Sequence, residues 1–357
     1  MIILSRRTSL PILYYFASSI TSRATAFSRK MSSSGTTTTA KSILGQTLVS
    51  VPDAIGLHDD AENSNVKFID GSWWLDKDRD GRQEFETGPR IAKARYLDID
   101  DVSTKTPDNL PHMMPSSSLQ SAAMDAMGIA KNDHVVVYGS EDCMFVSRAY
   151  MQMRIMGHPK EFCHLMDGSL KQWIDAGGPI EAKGTTPSHP VIDAENLKEK
   201  TTNTNYEAKN PQNVIDMEEL KTLIAEGKAV DENPSIVVVD ARSSARFSGE
   251  AAEPRPGLRG GHMPGAKNLP ITDLLDPDNK VRFKSKEELR QIIQDAGIPL
   301  PLSPDTSKII SSCGSGVTAC ALLTAFDILG EDSSQAYLYD GAWCQWGGQS
   351  DTPIVKD

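Results

Sequence analysis

Short apolar runs alternate along the chain with stretches in which apolar residues recur at helical spacing. The runs 134-HVVVYG-139 and 308-KIISSC-313 are continuous and rich in β-branched residues, as strands buried on both faces require. Between such runs, residues 116–128 and 285–297 begin with serine and end with glycine, which are the signals of a capped helix. This alternation predicts an α/β fold with mostly parallel sheets flanked by helices.

The same series of segments occurs twice. The segment 66-VKFIDGSWW-74 is matched by 236-IVVVDARSS-244, about 170 residues later. Near the end of each copy, 165-LMDGSLKQW-173 is matched by 338-LYDGAWCQW-346 at nearly the same offset. Two further matched segments lie between them in the same order. The chain is therefore predicted to be a tandem duplication.

Composition divides the chain into four parts. Residues 1–45 contain arginine, lysine and many Ser and Thr but no Asp or Glu, which is typical of a mitochondrial transit peptide. A signal peptide, a plastid location, or a start at Met31 that would leave the protein in the cytoplasm are the alternatives. The polar residues 183–211 predict a linker between a first domain at 46–182 and a second at 212–357.

Charge and cysteine content narrow the class of protein. The 357 residues carry a net charge of −11 and no basic run, which argues against a nucleic-acid partner or an anionic membrane surface. No uninterrupted apolar stretch is long enough to span a membrane. The five cysteines form no CxxC pair and no zinc spacing, so we expect free thiols, a reducing compartment and no metal site.

One cysteine has a setting that favours chemistry. Cys313 follows the apolar run 308–312 and precedes a predicted helix at 317–329, which Gly330 would end. Ligands bind at the carboxyl ends of parallel strands, and the small residues 314–316 leave backbone amides free to face an anion. A thiol there is stabilised as a nucleophilic thiolate. The alternative is a small buried core residue.

The first copy provides a contrast at its matching strand end, 138-YGSEDCMFVSRAY-150. Glu141 and Asp142 stand beside Cys143, and acidic neighbours disfavour a thiolate. The second copy is therefore predicted to be catalytic and the first structural. Cysteine phosphatases require an arginine where this chain has Ala319, because arginine grips the phosphate. Sulfur transfer through a cysteine persulfide is the chemistry that remains.

The segment 313-CGSGVTAC-320 resembles the active-site loop of 3-mercaptopyruvate sulfurtransferases, which belong to the rhodanese superfamily. The resemblance extends over about residues 60–350 and includes 260-GGHMPGA-266 and 339-YDGAWCQW-346. It implies two tandem rhodanese-like domains, each a mostly parallel sheet flanked by helices. Thiosulfate-type rhodaneses carry two basic residues at positions 314–315, whereas the neutral pair here favours a monoanionic donor such as mercaptopyruvate.

The resemblance also implies roles for individual side chains. Arginine binds carboxylates through two parallel hydrogen bonds, so Arg246 and Arg255 would hold the donor. The alternative for both arginines is surface ion pairing. The implied site residues are Cys313 and Ser315 for catalysis, Arg246, Arg255, Gly314, Gly316, Val317 and Thr318 for substrate binding, and Asp240 for orientation.

Other motif residues are expected to be structural. Arg242 should pair with acidic groups under the loop, His262 should support a turn, and Trp343 and Trp346 should pack in the interior. In its first domain the family often has His-Ile-Pro-Gly-Ala where this chain has 90-RIAKA-94. Arg90 would then replace the histidine of a Ser-His-Asp proton relay.

Together these features predict a sulfurtransferase that needs no metal or organic cofactor. The Cys313 thiolate would take sulfur from 3-mercaptopyruvate as a persulfide, release pyruvate, and pass the sulfur to thioredoxin, glutathione, another low-molecular thiol or cyanide. The alternatives are a thiosulfate:cyanide sulfurtransferase, a persulfide carrier for tRNA thiolation, and a redox sensor through Cys320 or Cys344. We expect a monomer or weak dimer.

Overall fold

The computed structural model describes residues 45–59, 64–193, 195, 197, 205–230, 234–305 and 307–357. The predicted targeting segment lies outside these residues except for Gly45. Within the described ranges, no helix is long and apolar enough to cross a membrane. The same ranges contain no cluster of three or more His, Cys, Asp or Glu side chains that could hold a metal ion.

Each half of the chain contains an alternating series of strands and helices. The first half consists of β1 (Leu48–Ser50), α1 (Val51–Asp59), β2 (Val66–Asp70), α2 (Gly81–Thr87), β3 (Arg90–Ile91), β4 (Arg95–Tyr96), α3 (Ser117–Ala126), β5 (His134–Gly139), α4 (Ser147–Ile155), β6 (Cys163–Ser169), α5 (Leu170–Asp175) and β7 (Ile180–Glu181). The second half consists of β8 (Val214–Ile215), α6 (Met217–Ala225), β9 (Ile236–Asp240), α7 (Ser244–Ser248), β10 (Lys267–Asn268), α8 (Ile271–Leu274), β11 (Leu275–Asp276), β12 (Asn279–Phe283), α9 (Lys286–Asp295), β13 (Lys308–Ser312), α10 (Ala319–Leu329), β14 (Ala336–Tyr339) and α11 (Ala342–Trp346).

The two main sheets have the same strand order. The first runs β1-β6-β5-β2-β4 and the second β8-β14-β13-β9-β10, with every neighbouring pair parallel. The short pairs β3–β7 and β11–β12 are antiparallel. The central strands β5 and β13 are almost wholly buried, which explains their continuous apolar pattern. The predicted tandem of parallel sheets flanked by helices is confirmed.

Local signals place the helix ends close to the positions expected from the sequence. Helix α9 begins with a capping box in which Ser285 and Glu288 each bond the other's backbone N–H. Gly330 ends α10 with a positive φ of 76°. Helix α10 starts at Ala319, two residues later than the predicted 317, because residues 317–318 belong to the loop after β13.

Helices α4 and α10 join the two halves. Helix α10 is buried from Ala319 to Ile328, as its unbroken apolar character requires. Asp327 on this helix accepts a hydrogen bond from Tyr150 Oη at 2.9 Å and pairs with Arg154 Nε at 3.1 Å. Its other oxygen, Oδ1, pairs with Lys160 Nζ at 2.8 Å. Because one buried carboxylate binds three side chains of the first half, the helices are held in a defined register.

The described parts of 183–211 lie along the first half. The backbone oxygen of Thr185 accepts a hydrogen bond from Arg90 Nη2 at 2.8 Å, and Ala208 N–H donates to Ser121 Oγ at 2.9 Å. Tyr206 is fully buried there. This connection is therefore anchored to the first half at several points.

Candidate active site

Cys313 lies where β13 leaves the centre of the second sheet. Ser312, the residue before it, pairs with Asp240 at the end of the neighbouring strand β9. The Cys313 side chain is largely enclosed, with 2% of its surface exposed. The carboxyl edge of a parallel sheet is where loops can converge on a ligand, so the position agrees with the sequence prediction.

The loop after Cys313 turns its carbonyl groups toward protein donors and leaves its amides free. The carbonyl oxygens of residues 313 and 314 accept hydrogen bonds from backbone N–H groups of α11, each at 2.9 Å. The Gly316 oxygen accepts from Arg148 Nη1 at 3.1 Å. Among the described residues, the N–H groups of 314–318 donate no hydrogen bond. Several amides are thus available to a negative charge beside the cysteine.

The two glycines of the loop lie so close to neighbouring atoms that a side chain would not fit at either position without displacing them. A Cβ atom on Gly314 would lie 2.9 Å from Arg246 Nη2. Gly316 has φ of +75°, and a Cβ atom there would lie 2.8 Å from the backbone oxygen of Asp340. The absence of bulk around Cys313 therefore makes room for an arginine on one side and for backbone on the other.

The buried carboxylate of Glu253 links two arginines, Arg246 of helix α7 and Arg242, which precedes this helix. Glu253 accepts from Arg246 Nη2 at 2.5 Å and from Arg242 Nη1 at 2.7 Å. Arg242 also pairs with Asp240 at 2.6 Å and stacks 4.1 Å above the Trp343 ring, so its expected structural role is confirmed. Arg246 is ion-paired yet 20% exposed, and it is the arginine that lies against the loop.

A histidine from the first half lies beside Arg255. His112 Nε2 is 3.4 Å from Arg255 Nη2, and its Nδ1 pairs with Asp100. Asp100 also accepts a hydrogen bond from Trp73 Nε1 at 2.8 Å. Although burial opposes its ionisation, the hydrogen bond and charge of His112 hold the pKa of Asp100 below its ordinary value. The site therefore contains a histidine–carboxylate pair.

Arg90 stands where the family often has the relay histidine, and it makes its contacts within the first half. Arg90 is buried away from the loop, where it pairs with Glu181 at 2.8 Å and donates to the backbone oxygen of Phe85 at 3.0 Å. The histidine that reaches the site comes from 111-PHMMP-115. Its sequence signal was a histidine between prolines downstream of Asp100, but no spacing rule connects it to a cysteine about 200 residues away.

The guanidinium of Arg148 on α4 contacts both the cysteine loop and the histidine segment. Arg148 is fully buried and donates to Asp340 Oδ1 at 2.8 Å, to the Gly316 oxygen and to the His112 oxygen. Asp340 Oδ2 in turn accepts the Met114 N–H at 2.5 Å. A side chain of the first half thus supports the cysteine loop of the second half and the histidine segment at once. Sequence reasoning assigned Arg148 no part in the site.

The structure also places the remaining residues of the predicted set. Ser315 and Val317 are buried within the loop, and Thr318 is half-buried at its end. His262 stacks on Phe247 with ring centres 3.8 Å apart, which confirms a packing role.

The two tryptophans of the last motif pack in the interior, as expected. Trp343 and Trp346 are fully buried, and their ring N–H groups donate to backbone oxygens at 2.8 and 2.9 Å.

The fold and the loop chemistry agree with comparisons to known proteins. Residues 216–349 match the family described as rhodanese-like domain. The chain is 31% identical over 310 residues to the mitochondrial thiosulfate/3-mercaptopyruvate sulfurtransferase 1 of Arabidopsis thaliana, covering 84% of this chain and 76% of that protein. It is 33% identical over 278 residues to the 3-mercaptopyruvate sulfurtransferase of Escherichia coli (strain K12), covering 78% and 87%. The crystal structure of the Tum1 protein from Saccharomyces cerevisiae superposes with a TM-score of 0.71 at 27% identity, covering 87% of this chain and 98% of that one.

The protein has two sheets of the same strand order and a cysteine loop at the carboxyl edge of the second. Together with the family match, these features define a tandem rhodanese-like protein that transfers sulfur. The chain belongs to the 3-mercaptopyruvate sulfurtransferases of the rhodanese superfamily.

Proposed function

We propose that the enzyme moves the sulfur of 3-mercaptopyruvate to a thiol acceptor through a persulfide on Cys313, and releases pyruvate. The observation that carries the proposal is the neutral loop at 314–318, whose amides are unused among the described residues. Arg246 lies against Gly314 of this loop, and Arg255 contacts His112, whose backbone oxygen shares the Arg148 guanidinium with the Gly316 oxygen. Such a site suits a small donor with one carboxylate.

The charges around the loop favour a monoanionic donor. Among the described residues, Arg255 has no carboxylate within ion-pair distance, whereas Arg246 shares Glu253 with Arg242. Arg255 is therefore the cation most available to the donor carboxylate. A dianionic donor such as thiosulfate would gain from further positive charge at Gly314 or Ser315, and neither residue supplies it.

The reaction proceeds in two balanced displacements. The Cys313 thiolate attacks the donor sulfur, the carbon–sulfur bond breaks, and its electron pair leaves as the enolate of pyruvate. In this proposal Ser315 and His112 deliver the proton that completes pyruvate. An acceptor thiolate or cyanide then attacks the outer sulfur, and Cys313 leaves as a thiolate stabilised by the loop amides.

The assignment extends to the rest of the predicted set. Gly314, Gly316, Val317 and Thr318 contribute backbone groups to donor and persulfide. Asp240 orients the site through Arg242, which stacks on Trp343 beneath the loop. Thioredoxin, glutathione or another low-molecular thiol serves as acceptor. The domains are taken as 46–182 and 212–357, joined by 183–211.

A mitochondrial location is part of the same proposal. It is supported by the acid-free, arginine-containing residues 1–45 and by the A. thaliana relative, whose name places it in mitochondria. Fluorescent fusions of the full chain and of a chain starting at Met31 test it. The full chain should enter mitochondria and the shorter one should remain in the cytosol, and the same distribution for both would contradict the proposal.

The decisive experiment measures pyruvate release from 3-mercaptopyruvate with a thiol acceptor. Cys313→Ser should lower turnover at least about a thousandfold, because a hydroxyl cannot form the persulfide. Cys163→Ala, which removes a thiol of the first-half core, is the matched control and should retain activity. Thiosulfate with cyanide is assayed in parallel, since some relatives are named for that donor. Faster turnover of thiosulfate would overturn the donor assignment.

A further inference from the structure

A second cysteine lies beside the loop that holds Cys313. The backbone N–H of Cys344 donates to the Gly314 oxygen at 2.9 Å, and that of Trp343 donates to the Cys313 oxygen at 2.9 Å. Cys344 is a free thiol and half-buried. The backbone partner of Cys313 is thus Trp343, and Cys344 is the next residue along α11, so the two cysteines lie on adjoining segments.

The charges that act on Cys344 are those of the active site. Burial raises its pKa, Arg255 and Arg246 oppose that rise, and Cys313 and Glu253 add to it. These groups come from the cysteine loop and from the segment after β9, so Cys344 lies in the electrostatic surroundings of Cys313. A raised pKa keeps Cys344 largely protonated at neutral pH and leaves the first attack on the donor to Cys313.

The other three cysteines lack this access. Cys143 and Cys163 are fully buried in the first half. Cys320 is fully buried in α10, where its Sγ donates to the Gly316 oxygen at 3.3 Å and burial raises its pKa to about 12. Among the five cysteines, Cys344 is therefore the half-buried thiol on the segment that adjoins the Cys313 loop.

We propose that Cys344 is a resolving thiol that attacks the persulfide of Cys313 when no external acceptor is bound. The inference rests on the proposed function, since it requires that persulfide. The Cys344 thiolate attacks Sγ of Cys313 and forms a disulfide, while the bond to the outer sulfur breaks. That sulfur leaves with the electron pair as hydrosulfide, and the thiol proton of Cys344 passes to solvent.

The step needs no outside oxidant. The Cys344 sulfur is oxidised from the thiol to the disulfide level, and the outer sulfur is reduced from the persulfide level to sulfide. The Cys313 sulfur keeps its oxidation state, so electrons balance within the site. A dithiol reductant then reopens the disulfide by exchange and restores both thiols. The enzyme would thus release sulfide by itself once per cycle and depend on a dithiol for the next cycle.

The test is a single turnover of the full-length, reduced protein without thiol acceptor and with oxygen excluded. One equivalent of 3-mercaptopyruvate is added, and pyruvate, sulfide, intact mass and non-reduced peptides are measured. The wild type should release about one equivalent each of pyruvate and sulfide and form a peptide pair linking Cys313 to Cys344. Cys344→Ser should release the same pyruvate, less than about a tenth of the sulfide, and keep one added sulfur atom. Cys163→Ala should behave as wild type.

The outcomes separate the two proposals. If the wild type releases no pyruvate, the proposed function fails. If pyruvate appears but the wild type keeps its added sulfur as Cys344→Ser does, the resolving role is overturned. A disulfide to Cys320 instead of Cys344 would also overturn it.

Discussion

The ends of β13 and β5 occupy the same place in two sheets of the same strand order, yet they differ in chemistry. In the second sheet Ser312 pairs with Asp240, and Cys313 follows. In the first sheet Tyr138 pairs with Asp70, and the next residue is Gly139. The register therefore puts a glycine, not Cys143, at the position of the nucleophile. The first half lacks a thiol where the fold would use one.

Cys143 lies four residues beyond Gly139 and is fully buried. Burial raises its pKa to about 11, which agrees with the structural role predicted for the first copy. Glu141 and Asp142 occupy the loop where the second half has Ser315 and Gly316. The first loop thus differs from the active one in both its nucleophile and its charge.

The residues beneath the two loops differ in the same way. Asp240 pairs with Arg242, whereas the matching Asp70 has uncharged partners, Tyr138 and Ser72, whose N–H donates to Oδ1 at 2.9 Å. Burial raises the pKa of Asp70 to about 6. The second half therefore has a cation two residues after the strand-end aspartate, and the first half does not.

The largest expected effect comes from moving the nucleophile to the first half. Gly139→Cys combined with Cys313→Ser should remain at least about a thousandfold less active than wild type, because the new thiol faces an acidic loop. The change fits sterically, since a Cβ atom at Gly139 would lie 3.4 Å from its nearest neighbour, the Cβ of Cys143. Pyruvate release measures the outcome. Gly139→Cys alone should keep wild-type activity, and appreciable turnover by the double variant would contradict the comparison.

The next effect concerns the support that Arg148 of the first half provides to the cysteine loop of the second half. Arg148→Met leaves Asp340 buried without its cation and should lower the free energy of unfolding by roughly 3–5 kcal/mol. It should also lower kcat, because the Gly316 carbonyl and the His112 segment lose their shared donor. Denaturant unfolding and steady-state kinetics measure the two effects.

Two further variants separate a local role of Arg148 from general stability. Arg154→Met removes a partner of Asp327 and should destabilise the domain interface while leaving kcat near wild type. Arg148→Lys keeps the charge but not the fork geometry and should be intermediate. A wild-type kcat for Arg148→Met would refute its role in supporting the loop.

A smaller effect follows from Asp70, which is buried without a cationic partner such as the one that Asp240 has. Its folded pKa of about 6 lies above the ordinary unfolded value, so the folded state retains the proton longer. The free energy of unfolding should therefore fall as pH rises through the interval between the two values, by about 3 kcal/mol for two pKa units. Asp70→Asn should remove this fall, which unfolding at a series of pH values would show. Parallel pH curves for the variant and the wild type would contradict it, and Asp240→Asn should instead destabilise at neutral pH because Arg242 loses its partner.

The smallest effect concerns backbone conformation at one matched position. Asp142 has φ of 64° where Gly316 has +75°, and a non-glycine residue is strained there. Asp142→Gly should raise the free energy of unfolding by about 0.5–1 kcal/mol and leave activity unchanged. Gly316→Ala should have the opposite sign and lower activity, because its Cβ would meet the Asp340 backbone. Both are measured by denaturant unfolding and pyruvate release.

Much of the fold and the centre of the site could be predicted from contiguous residues. The parallel sheets and the duplication could be predicted because their signals are local. These signals are the apolar runs of the strands, the serine caps of α3 and α9, and Gly330 at the end of α10. The cysteine loop could be recognised because its small residues, its strand and its helix are adjacent in the chain. Local spacing could not align the first loop correctly, because that loop is longer and only strand register assigns Gly139 to the position of Cys313.

The sequence by itself determined the two sheets, the nucleophile and the neutral loop around it, since each depends on residues close in the chain. Only the tertiary structure brought His112, Asp100 and Arg148 of the first half to the second half, through the contacts of His112 with Arg255 and of Arg148 with the Gly316 oxygen. It also placed Cys344 beside the loop through backbone hydrogen bonds that no side-chain pattern encodes. These contacts depend on how α4 docks on α10 and how α11 meets the loop. Docking is set by the summed packing of distant residues, so no local period or motif reports it.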